Sequence, residues 1–411
     1  MALNTKKRIT AIDLLRGFAL LGILLMNMSS FSMPGIAYFN PTVYGGDQWW
    51  NRLIFSLNHI FADQKMMAIF SMLFGASVML VTGNMEKRGE NPLKFHYARN
   101  FWLLVIGLIH ATFIWEGDIL TIYALSAFVL YWFRKLNPKW QFALGLLVFY
   151  IPSLLNFGIQ AILPELQSAD LQSIQDYWQP PDTAIQKELD IFRGDYAAQF
   201  AYRQVGNVVS PPYTDGQGLL ELSLLVEFFN RALGMMLVGM AFYNWGILTA
   251  KKSNQFYRRM IWIGFGVGLP IVLFGLYQYS THGWQASYAL FIGRIPNHIA
   301  TPLIASGYIG LVMLWSRSDF LAWLQSRLVA VGRTALTNYI AQSVIATTIF
   351  YGFGFGYFGY LSRLEQLLVI IAIWSVQLCF APLWLRRFKY GPLEWLWRSL
   401  STFKPQPILR R

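Results

Sequence analysis

Residues 107–123 read GLIHATFIWEGDILTIY, and this stretch sets a histidine and two carboxylates within and between two apolar runs. Each run is long enough to cross a bilayer, which takes about 20 residues of helix. His110 falls in the first run, whereas Glu116 and Asp118 fall at the turn between the two runs. Titratable groups are costly at membrane depth, so their presence there indicates a function.

The composition of the whole chain indicates a membrane protein. Hydrophobic residues make up 55% of the sequence, aromatic residues 17% and charged residues only 13%, whereas a soluble domain has about 25% charged residues. Apolar runs of about 17 to 25 residues predict an all-α, polytopic helical bundle with about ten transmembrane helices. The predicted helices centre near Ile23, Phe74, Leu104, Leu125, Leu147, Leu237, Phe265, Gly307, Val344 and Ile371.

Basic residues collect in alternate connections between the predicted helices. Examples are the clusters at residues 6–8, 251–259 and 386–389. The positive-inside rule therefore predicts that both termini lie in the cytoplasm of a multi-pass protein of the bacterial inner membrane. The net charge of +13 follows from this topology and from attraction to anionic lipids. It does not indicate nucleic-acid binding, and the lipid bilayer is the expected partner.

The chain is predicted to form one membrane domain over residues 1–411, with an extracytoplasmic loop region at about 164–218. Proline pairs at 180–181 and 211–212 are expected to break helical pieces in this acidic segment. The loop at residues 34–50 lies on the same predicted side and is rich in Gly, Pro, Tyr and Trp. The two segments either cap a cavity that opens outward or are ordinary connections.

Charged residues inside the predicted spans are candidates for substrate binding, and each has a structural alternative. Asp13 and Arg16 share one face of the first helix, where they form a structural or a functional pair. Lys65 either snorkels to the outer boundary or contacts a substrate. Glu227 and Arg231 are four residues apart, so they either neutralise each other or leave the arginine to bind an anionic group.

The hairpin around His110 carries the candidate catalytic residues. Asp118 begins the descending helix, where it serves either as an N-cap or as a partner for the histidine. Tyr123 is expected opposite His110, about 10 Å below the turn. His110 and Asp118 differ by roughly 6 Å in depth at 1.5 Å per residue, so a water or a bent turn is needed to join them. Glu116 in the turn is a further substrate-binding candidate.

A polar stripe follows the predicted ninth helix. Asn338 and Gln342 are four residues apart on one face, with Arg333 next to it. Such a stripe forms either hydrogen bonds between helices or the wall of a hydrated path, and only the first is common. The C-terminal segment at about 386–411 is basic and aromatic, which is typical of a helix at the cytoplasmic membrane interface.

Motifs for other chemistries are missing. The sequence contains no phosphate-binding Gly-Lys loop and no zinc-binding His-Glu-x-x-His pattern. It also has a single cysteine, Cys379, which excludes an internal disulfide and most thiolate metal sites. We therefore predict neither a metal site nor a tightly bound cofactor.

Four blocks of the sequence resemble the bacterial YeiB family of polytopic inner-membrane proteins. The first is RITAIDLLRGFALLGILLMN at 8–27, and the second is residues 107–123 with its specific WEGDIL run. The others are GRTALTNYIAQS at 332–343 and YGPLEWLWR at 390–398. The likeness runs from end to end of the chain.

The Asp-x-Leu-Arg-Gly opening is also similar, more distantly, to that of the transmembrane acyltransferases of the heparan-α-glucosaminide N-acetyltransferase and acyltransferase-3 types. Such proteins move an acyl group from a cytoplasmic thioester to an acceptor on the far side of the membrane. This likeness implies acyl-CoA as a co-substrate. The sequence departs from the acyltransferase-3 pattern at Asn27, where that type carries histidine, so the catalytic assignment of His110 comes from its position alone.

Three functions therefore compete. In an acyltransferase, Arg333, Lys251, Arg258 and Arg387 would hold the phosphates of acyl-CoA. His110, helped by Asp118 or Tyr123, would deprotonate the acceptor or take the acyl group itself, and Asn27 and Asn338 would stabilise the oxyanion. In a proton-coupled transporter the same polar groups line a solute path, although no repeated half is visible. In a non-catalytic membrane scaffold all these charges are structural.

Overall fold

The computed structural model of the protein describes residues 10–165, 168–203 and 218–410, and these residues are predominantly helical. The only strand-like pairing in them is an isolated bridge between Phe388 and Leu409. We number the described helices in chain order as α1 Thr10–Ser32, α2 Trp49–Phe61, α3 Lys65–Glu86, α4 Pro92–Phe113, α5 Leu120–Leu130, α6 Pro138–Ile162, α7 Ser168–Trp178, α8 Asp182–Arg193, α9 Tyr196–Tyr202, α10 Gly218–Asn244, α11 Asn254–Thr281, α12 Ala286–Ala289, α13 Ile295–Trp315, α14 Ala322–Arg333, α15 Ala335–Phe350, α16 Arg363–Arg387 and α17 Pro392–Thr402.

The all-α membrane bundle predicted from the sequence is confirmed. All ten predicted centres fall within helices, namely α1, α3, α4, α5, α6, α10, α11, α13, α15 and α16. Among the described residues, six helical segments are long and apolar enough to cross a membrane. The count of ten spans stays a prediction, since α5 and α15 have only 11 and 16 residues.

Close helix crossings at glycine bring the polar residues of α1 next to those of α14. A Cβ atom on Gly17 would lie 2.0 Å from the carbonyl oxygen of Leu328, and one on Gly332 would lie 2.0 Å from that of Asp13. Only glycine permits such an approach of two backbones. The crossing therefore sets Asp13 and Arg16 beside the end of α14.

The two ends of the bundle differ in their side chains and in what covers them. At one end, here called the basic end, lie the starts of α1, α4 and α15 together with α17. Trp397 of α17 donates its ring N–H to the carbonyl of Arg99 on α4 at 2.7 Å, and Glu394 accepts from the backbone N–H of Leu336 at 2.6 Å. The C-terminal segment is therefore docked on the bundle.

At the other end, here called the capped end, α2 and α7–α9 cover the bundle. As the sequence predicted, α7 and α8 are separate helical pieces that flank the proline pair at 180–181. The pair at 211–212 lies outside the described residues. Gly35 donates its backbone N–H to Glu188 at 2.8 Å, and Asn40 donates to the carbonyl of Trp178 at 3.2 Å. The two predicted outer segments therefore contact each other.

Candidate functional site

His110 and Asp118 form a buried pair in the α4–α5 hairpin. Nδ1 of His110 lies 2.9 Å from Oδ1 of Asp118, and each side chain is 1% exposed. The sequence left open whether the two residues touch, and the structure shows direct contact. A carboxylate on Nδ1 fixes the tautomer that leaves Nε2 as an acceptor. Nε2 has no hydrogen-bond partner among the described residues.

The local chain explains how the pair forms. Helix α4 ends at Phe113 and α5 begins at Leu120, so the bent turn between them lowers Asp118 toward His110. The second oxygen of Asp118 accepts the backbone N–H of Thr121 at 2.7 Å, so this residue also caps the helix. Gly107 lets the two helices meet, because a Cβ there would lie 2.7 Å from the nitrogen of Thr121.

Tyr339 of α15 covers His110 on the side of the bundle interior. The centroids of the two rings are 5.3 Å apart. The Tyr339 hydroxyl accepts the backbone N–H of Ile119 at 3.3 Å, which leaves its own proton available for a ligand. Tyr339 thus separates the His110–Asp118 pair from the interior cavity described next.

A cavity of about 310 Å³ opens at the basic end, and we call it the basic-end cavity. This volume is in the range of small-molecule sites. On α1 its lining runs from Ile12 to Ile23, which is about 16 Å along the axis, or roughly half of the helix. Its deep wall includes Tyr123 and Tyr339.

The basic-end cavity carries an excess of positive charge. Two carboxylates, Asp13 and Glu394, line it together with four arginines. Those arginines are Arg16, Arg99, Arg333 and Arg398. Burial raises the pKa of Glu394 above its usual range, against the hydrogen bonds that Glu394 accepts at the start of α15.

The arginines are held in different ways. Arg16 donates to Asp13 at 3.0 Å, which confirms the predicted contact. The guanidinium of Arg99 lies over the Trp397 ring, 4.0 Å from its centroid. Arg398 likewise lies over Tyr390 at 4.7 Å. Stacked guanidinium groups keep their N–H edges for anions such as phosphate.

A second, smaller cavity of about 60 Å³ lies at the capped end, and we call it the capped-end cavity. Aromatic side chains from several helices and from the covering segments dominate its wall. The polar residues in its lining include His59, Asp63, Arg231, Arg294 and Asn297.

Glu227 holds two arginines beside the capped-end cavity. Arg231 donates to Glu227 at 3.0 Å, which confirms the predicted pairing, and Arg294 lies 2.8 Å from the same carboxylate. The side chains of Arg231, Glu227 and Arg294 are 5%, 6% and 12% exposed, respectively. The helical pair expected from the sequence is therefore a buried triad.

Asp63 and Lys65 belong to a second buried network at the same cavity. Asp63 accepts from the hydroxyl of Tyr38 at 2.6 Å and from the amide of Asn297 at 2.9 Å. Lys65 donates to the carbonyl of His59 at 2.6 Å and to Asn297, and it is completely buried. The interpretation that Lys65 snorkels to the membrane boundary is wrong, because its ammonium group has partners inside the bundle.

A thin layer separates the two cavities. On α1, Ile23 lines the basic-end cavity and Met26 lines the capped-end cavity. On α3, Phe70 lines the basic-end cavity and Met67 lines the capped-end cavity. The residues of each pair are three positions apart, just under one helical turn and about 4.5 Å along the axis. Tyr123 donates its hydroxyl to the carbonyl of Met67 at 3.2 Å within this layer. We call these five residues the partition.

A cluster of buried polar atoms lies at the capped end beside the His110 hairpin. Burial raises the pKa of Glu116 to about 7, and it raises the pKa of Glu188 to about 7 as well. One oxygen of each carboxyl and both terminal nitrogens of Arg203 have no hydrogen-bond partner among the described residues. Glu116 therefore faces the covering helices and lines neither cavity.

The remaining sequence candidates lie apart from the two cavities. Asn338 donates to the backbone carbonyl of Thr334 at 2.9 Å, and Gln342 donates to Gln377 on α16 at 2.9 Å. The common alternative, hydrogen bonding between helices, therefore holds for Gln342, whereas Asn338 bonds back to the start of its own helix. Asn27 is half-buried and is absent from both linings.

Two parts of the acyltransferase assignment change with the geometry. Tyr123 lies in the partition and bonds to α3, so Asp118 and not Tyr123 is the partner of His110. Of the basic residues expected to hold phosphate, Arg333 lines the basic-end cavity, whereas the others do not. Those others are Lys251, Arg258 and Arg387.

Sequence reasoning missed three residues of these sites. Arg99 lies inside the predicted third span, and an arginine two turns into an apolar helix was a usable sign. Arg294 lies just before α13 and could be linked to Glu227 only through the fold. Tyr339 gave no sign in the sequence, because its contact with His110 joins chain positions far apart.

The chain is similar in sequence to known bacterial proteins. A family model described as a protein of unknown function, DUF418, matches residues 242–404. The uncharacterised protein YxaH of Bacillus subtilis is 31% identical, over 99% of this chain and 97% of the relative. The uncharacterised YeiB of Escherichia coli is 29% identical, over 98% and 99% respectively. An uncharacterised 39.9 kDa protein from the amylase 3′ region of Bacillus acidopullulyticus is 26% identical, over 98% and 96%.

These similarities extend over nearly the whole of each chain, so they cover both cavities and the His110 hairpin alike. The names of the relatives give no reaction, but the shared length fixes the relationship. The protein belongs to the YeiB family of membrane proteins.

Proposed function

We propose that the protein is a transmembrane acyltransferase that takes an acyl group from a cytoplasmic acyl-CoA and passes it to an acceptor across the membrane. The observation that carries this proposal is the basic-end cavity. Its lining includes four arginines and apolar side chains, and it ends at Tyr339 beside the His110–Asp118 pair.

The basic end faces the cytoplasm in this proposal, in keeping with the positive-inside rule. Arg99, Arg333 and Arg398 bind the phosphate groups of CoA, since guanidinium groups match phosphate in charge and geometry. The acyl-pantetheine arm extends between the apolar walls, where Leu73 and Leu103 are among the lining residues. Because the cavity reaches about half-way along α1, the thioester arrives near the middle of the membrane.

His110 acts as the general base in the transfer step. Its Nε2 accepts the proton of the acceptor hydroxyl or amine, and the freed oxygen or nitrogen attacks the thioester carbonyl carbon. The hydroxyl of Tyr339 donates to the oxyanion that develops there. The carbon–sulfur bond then breaks, and the CoA thiolate takes the proton from His110, which yields free CoA and the acylated acceptor.

Asp118 holds the imidazole in the required tautomer and stabilises the imidazolium that forms during transfer. Tyr339 stands between His110 and the cavity, so the proposal requires its ring to turn aside when the thioester binds. The role of the Tyr339 hydroxyl as the oxyanion donor can be tested separately from the movement of the ring. Tyr339→Phe keeps the ring but loses the donor, so it should slow transfer without weakening acyl-CoA binding.

Two labels on one substrate test the proposed reaction. The purified protein is placed in vesicles, and acetyl-CoA or a longer acyl-CoA with distinct labels on the acyl group and on the CoA is supplied at the basic face. Candidate acceptors, for example sugars and glycolipids, are supplied on the opposite face. The proposal expects the acyl label to appear on an acceptor while the CoA label stays behind. Acyl-CoA that binds but never transfers would contradict the enzymatic step.

A second function, proton-coupled transport, is favoured by the partition. Two cavities that approach from opposite ends to within one helical turn are also an arrangement suited to alternating access. Uptake of an unmodified solute driven by a pH gradient, without covalent change, would support a transporter. Covalent transfer of the acyl label with no net solute uptake would exclude it.

A further inference from the structure

The charges around the capped-end cavity do not balance. Counted by the usual charge of each side chain, Lys65, Arg231 and Arg294 contribute three positive charges, whereas Asp63 and Glu227 contribute two negative charges. Asp63 and Lys65 share Asn297, so this part of the network is neutral. Asp63 acts on Arg231 and Arg294 only through its longer-range field, because it accepts its hydrogen bonds from Tyr38 and Asn297. By direct contact, the surplus positive charge therefore belongs to the two arginines that share Glu227.

A buried charge without a counter-charge is costly, and proteins neutralise it with a partner or a ligand. Among the described residues, no second carboxylate contacts Arg231 or Arg294. The Arg231 side chain is only 5% exposed, and its buried Nε has no hydrogen-bond partner among the described residues. Both arginines line the cavity, so donors remain directed at its space.

Aromatic rings offset part of this charge but do not replace an anion. Phe228 lies 5.6 Å from the guanidinium of Arg231, and Phe39 lies 5.7 Å from that of Arg294. Cation–π contacts at such distances are attractive but weak. They offer no lone pair to the N–H donors.

The size of the cavity limits the ligand. A cavity of about 60 Å³ exceeds the roughly 10–15 Å³ that one water needs and is well below the roughly 300–1,000 Å³ of sites for drug-sized molecules, so it suits a small group such as an oxoanion. Tyr177, Trp178, Tyr279 and Trp284 are in the wall and would shield such a group from water. Arginine is the side chain best matched to carboxylate and phosphate oxygens.

We propose that the capped-end cavity is a binding site for a single oxoanion group, a carboxylate, phosphate or sulfate, held by Arg231 and Arg294. The inference does not rest on acyl transfer, because it concerns a separate cavity. If the transferase proposal holds as well, the group belongs to the acceptor, which then approaches the partition from the capped end.

Thermal unfolding of the full chain in zwitterionic nanodiscs tests the site. Inorganic phosphate, sulfate and acetate are titrated against chloride at constant ionic strength. We expect the midpoint of unfolding to rise with at least one oxoanion and to saturate. A response no different from that to chloride would overturn the proposal.

Two substitutions with opposite signs sharpen the test. Arg294→Gln removes the surplus charge, so the apparent Kd for the oxoanion should rise at least tenfold. Glu227→Gln adds to the surplus, so the same Kd should fall. Arg193→Gln, which lies at the capped end but outside the cavity lining, should leave it unchanged.

If Arg294→Gln fails to fold, Arg294→Lys keeps the charge and should retain a weaker but saturable response. If Arg294→Gln instead unfolds at a higher temperature and neither variant alters the anion response, the triad is only an internal ion network and the proposal is wrong. Repeating the titration in nanodiscs with anionic lipid identifies the source of the group. Loss of the response to free ions there indicates that a lipid headgroup already occupies the site.

Discussion

The two cavities use arginine in different ways. In the basic-end cavity, four arginines come from four separate helices around about 310 Å³, and Arg99 and Arg398 stack on aromatic rings. In the capped-end cavity, Arg231 and Arg294 converge on one carboxylate around about 60 Å³. Dispersed guanidinium groups suit a long ligand with several phosphates, whereas a tight triad suits one anionic group.

The partition between the cavities gives this difference a functional meaning. The His110–Asp118 pair lies behind Tyr339 at the deep wall of the larger cavity, whereas the Asp63 and Glu227 networks face the smaller one. An acyl donor from one end and an acceptor from the other would meet within one turn of α1. The substitutions below each change one region of the bundle, and their effects on acyl transfer, acyl-CoA affinity and stability are expected to differ.

The largest expected effect comes from His110→Ala. Loss of a general base slows a reaction about 10²- to 10⁴-fold, so acyl transfer should fall by that factor while the Kd for acyl-CoA stays unchanged. Transfer of labelled acyl groups in vesicles measures it. His96→Ala is a matched control, since His96 is also a buried histidine on α4 and its Nε2 contacts the carbonyl of Ala127 at 2.9 Å. Intact transfer in the His110 variant would rule out the catalytic assignment.

The next effect distinguishes the arginines of the two cavities. Arg99→Gln should weaken acyl-CoA binding about 10- to 100-fold, because a hydrogen bond to a charged group contributes about 1.5–3 kcal/mol. Arg231→Gln should leave that affinity unchanged. Calorimetric titration of both folded variants measures the two Kd values. Equal losses would mean that the cavities do not have separate ligands.

A smaller effect concerns how the stability of the covering helices α7–α9 depends on pH. The pKa of Glu188 is about 7 in the folded protein because of burial, and the pKa of Glu116 is about 7 for the same reason. A carboxyl whose pKa is raised on folding stabilises the fold below its ordinary pKa of 4.5. That stability is lost as the pH rises toward 7, by roughly 1 kcal/mol per pH unit for each group.

Hydrogen-exchange protection of helices α7–α9 should therefore fall between about pH 4.5 and 7. Glu188→Gln should flatten the change, whereas Glu165→Gln, an exposed glutamate near the end of α6, should not. The groups that face the pair are Arg203 and Tyr351. Protection that increases with pH over this range would contradict the burial of the two carboxyls.

The smallest effect tests the polar stripe of α15. Gln342→Leu removes the hydrogen bond to Gln377, and such bonds between membrane helices contribute about 0.6 kcal/mol on average. Stability should fall by about that amount, with unchanged acyl-CoA affinity. Thermal unfolding and a binding titration on the same sample measure both. A large loss of acyl-CoA affinity would contradict this prediction and would mean that Gln342 belongs to the acyl-CoA site.

The helices were predictable from the sequence, but the cavities were not. Apolar runs are local, so the centres near Ile23 or Ile371 could be located without knowledge of packing. The His110–Asp118 contact was only half visible, because it depends on the bent turn that lets Asp118 cap α5 at Thr121. Spacing along an ideal helix gave the depth of each residue but not that turn.

Residues far apart in the chain account for the rest. The snorkelling interpretation of Lys65 was wrong because its hydrogen-bond partner Asn297 lies 232 positions away in the chain. Arg99 and Tyr339 reach one cavity only after α1, α4, α14 and α15 have packed together. No periodicity in a single sequence reports such packing.

The most direct test of the central claim is site mapping with a photoreactive fatty acyl-CoA, whose reactive group sits at the end of the acyl chain. After illumination of the protein in nanodiscs, mass spectrometry identifies the labelled residues. We predict saturable labelling near Tyr123 and Tyr339 that free acyl-CoA competes away and that Arg99→Gln reduces. Labelling confined to the lipid-facing surface of α11 or to the capped end, unaffected by competitor, would contradict an acyl-CoA site in the basic-end cavity.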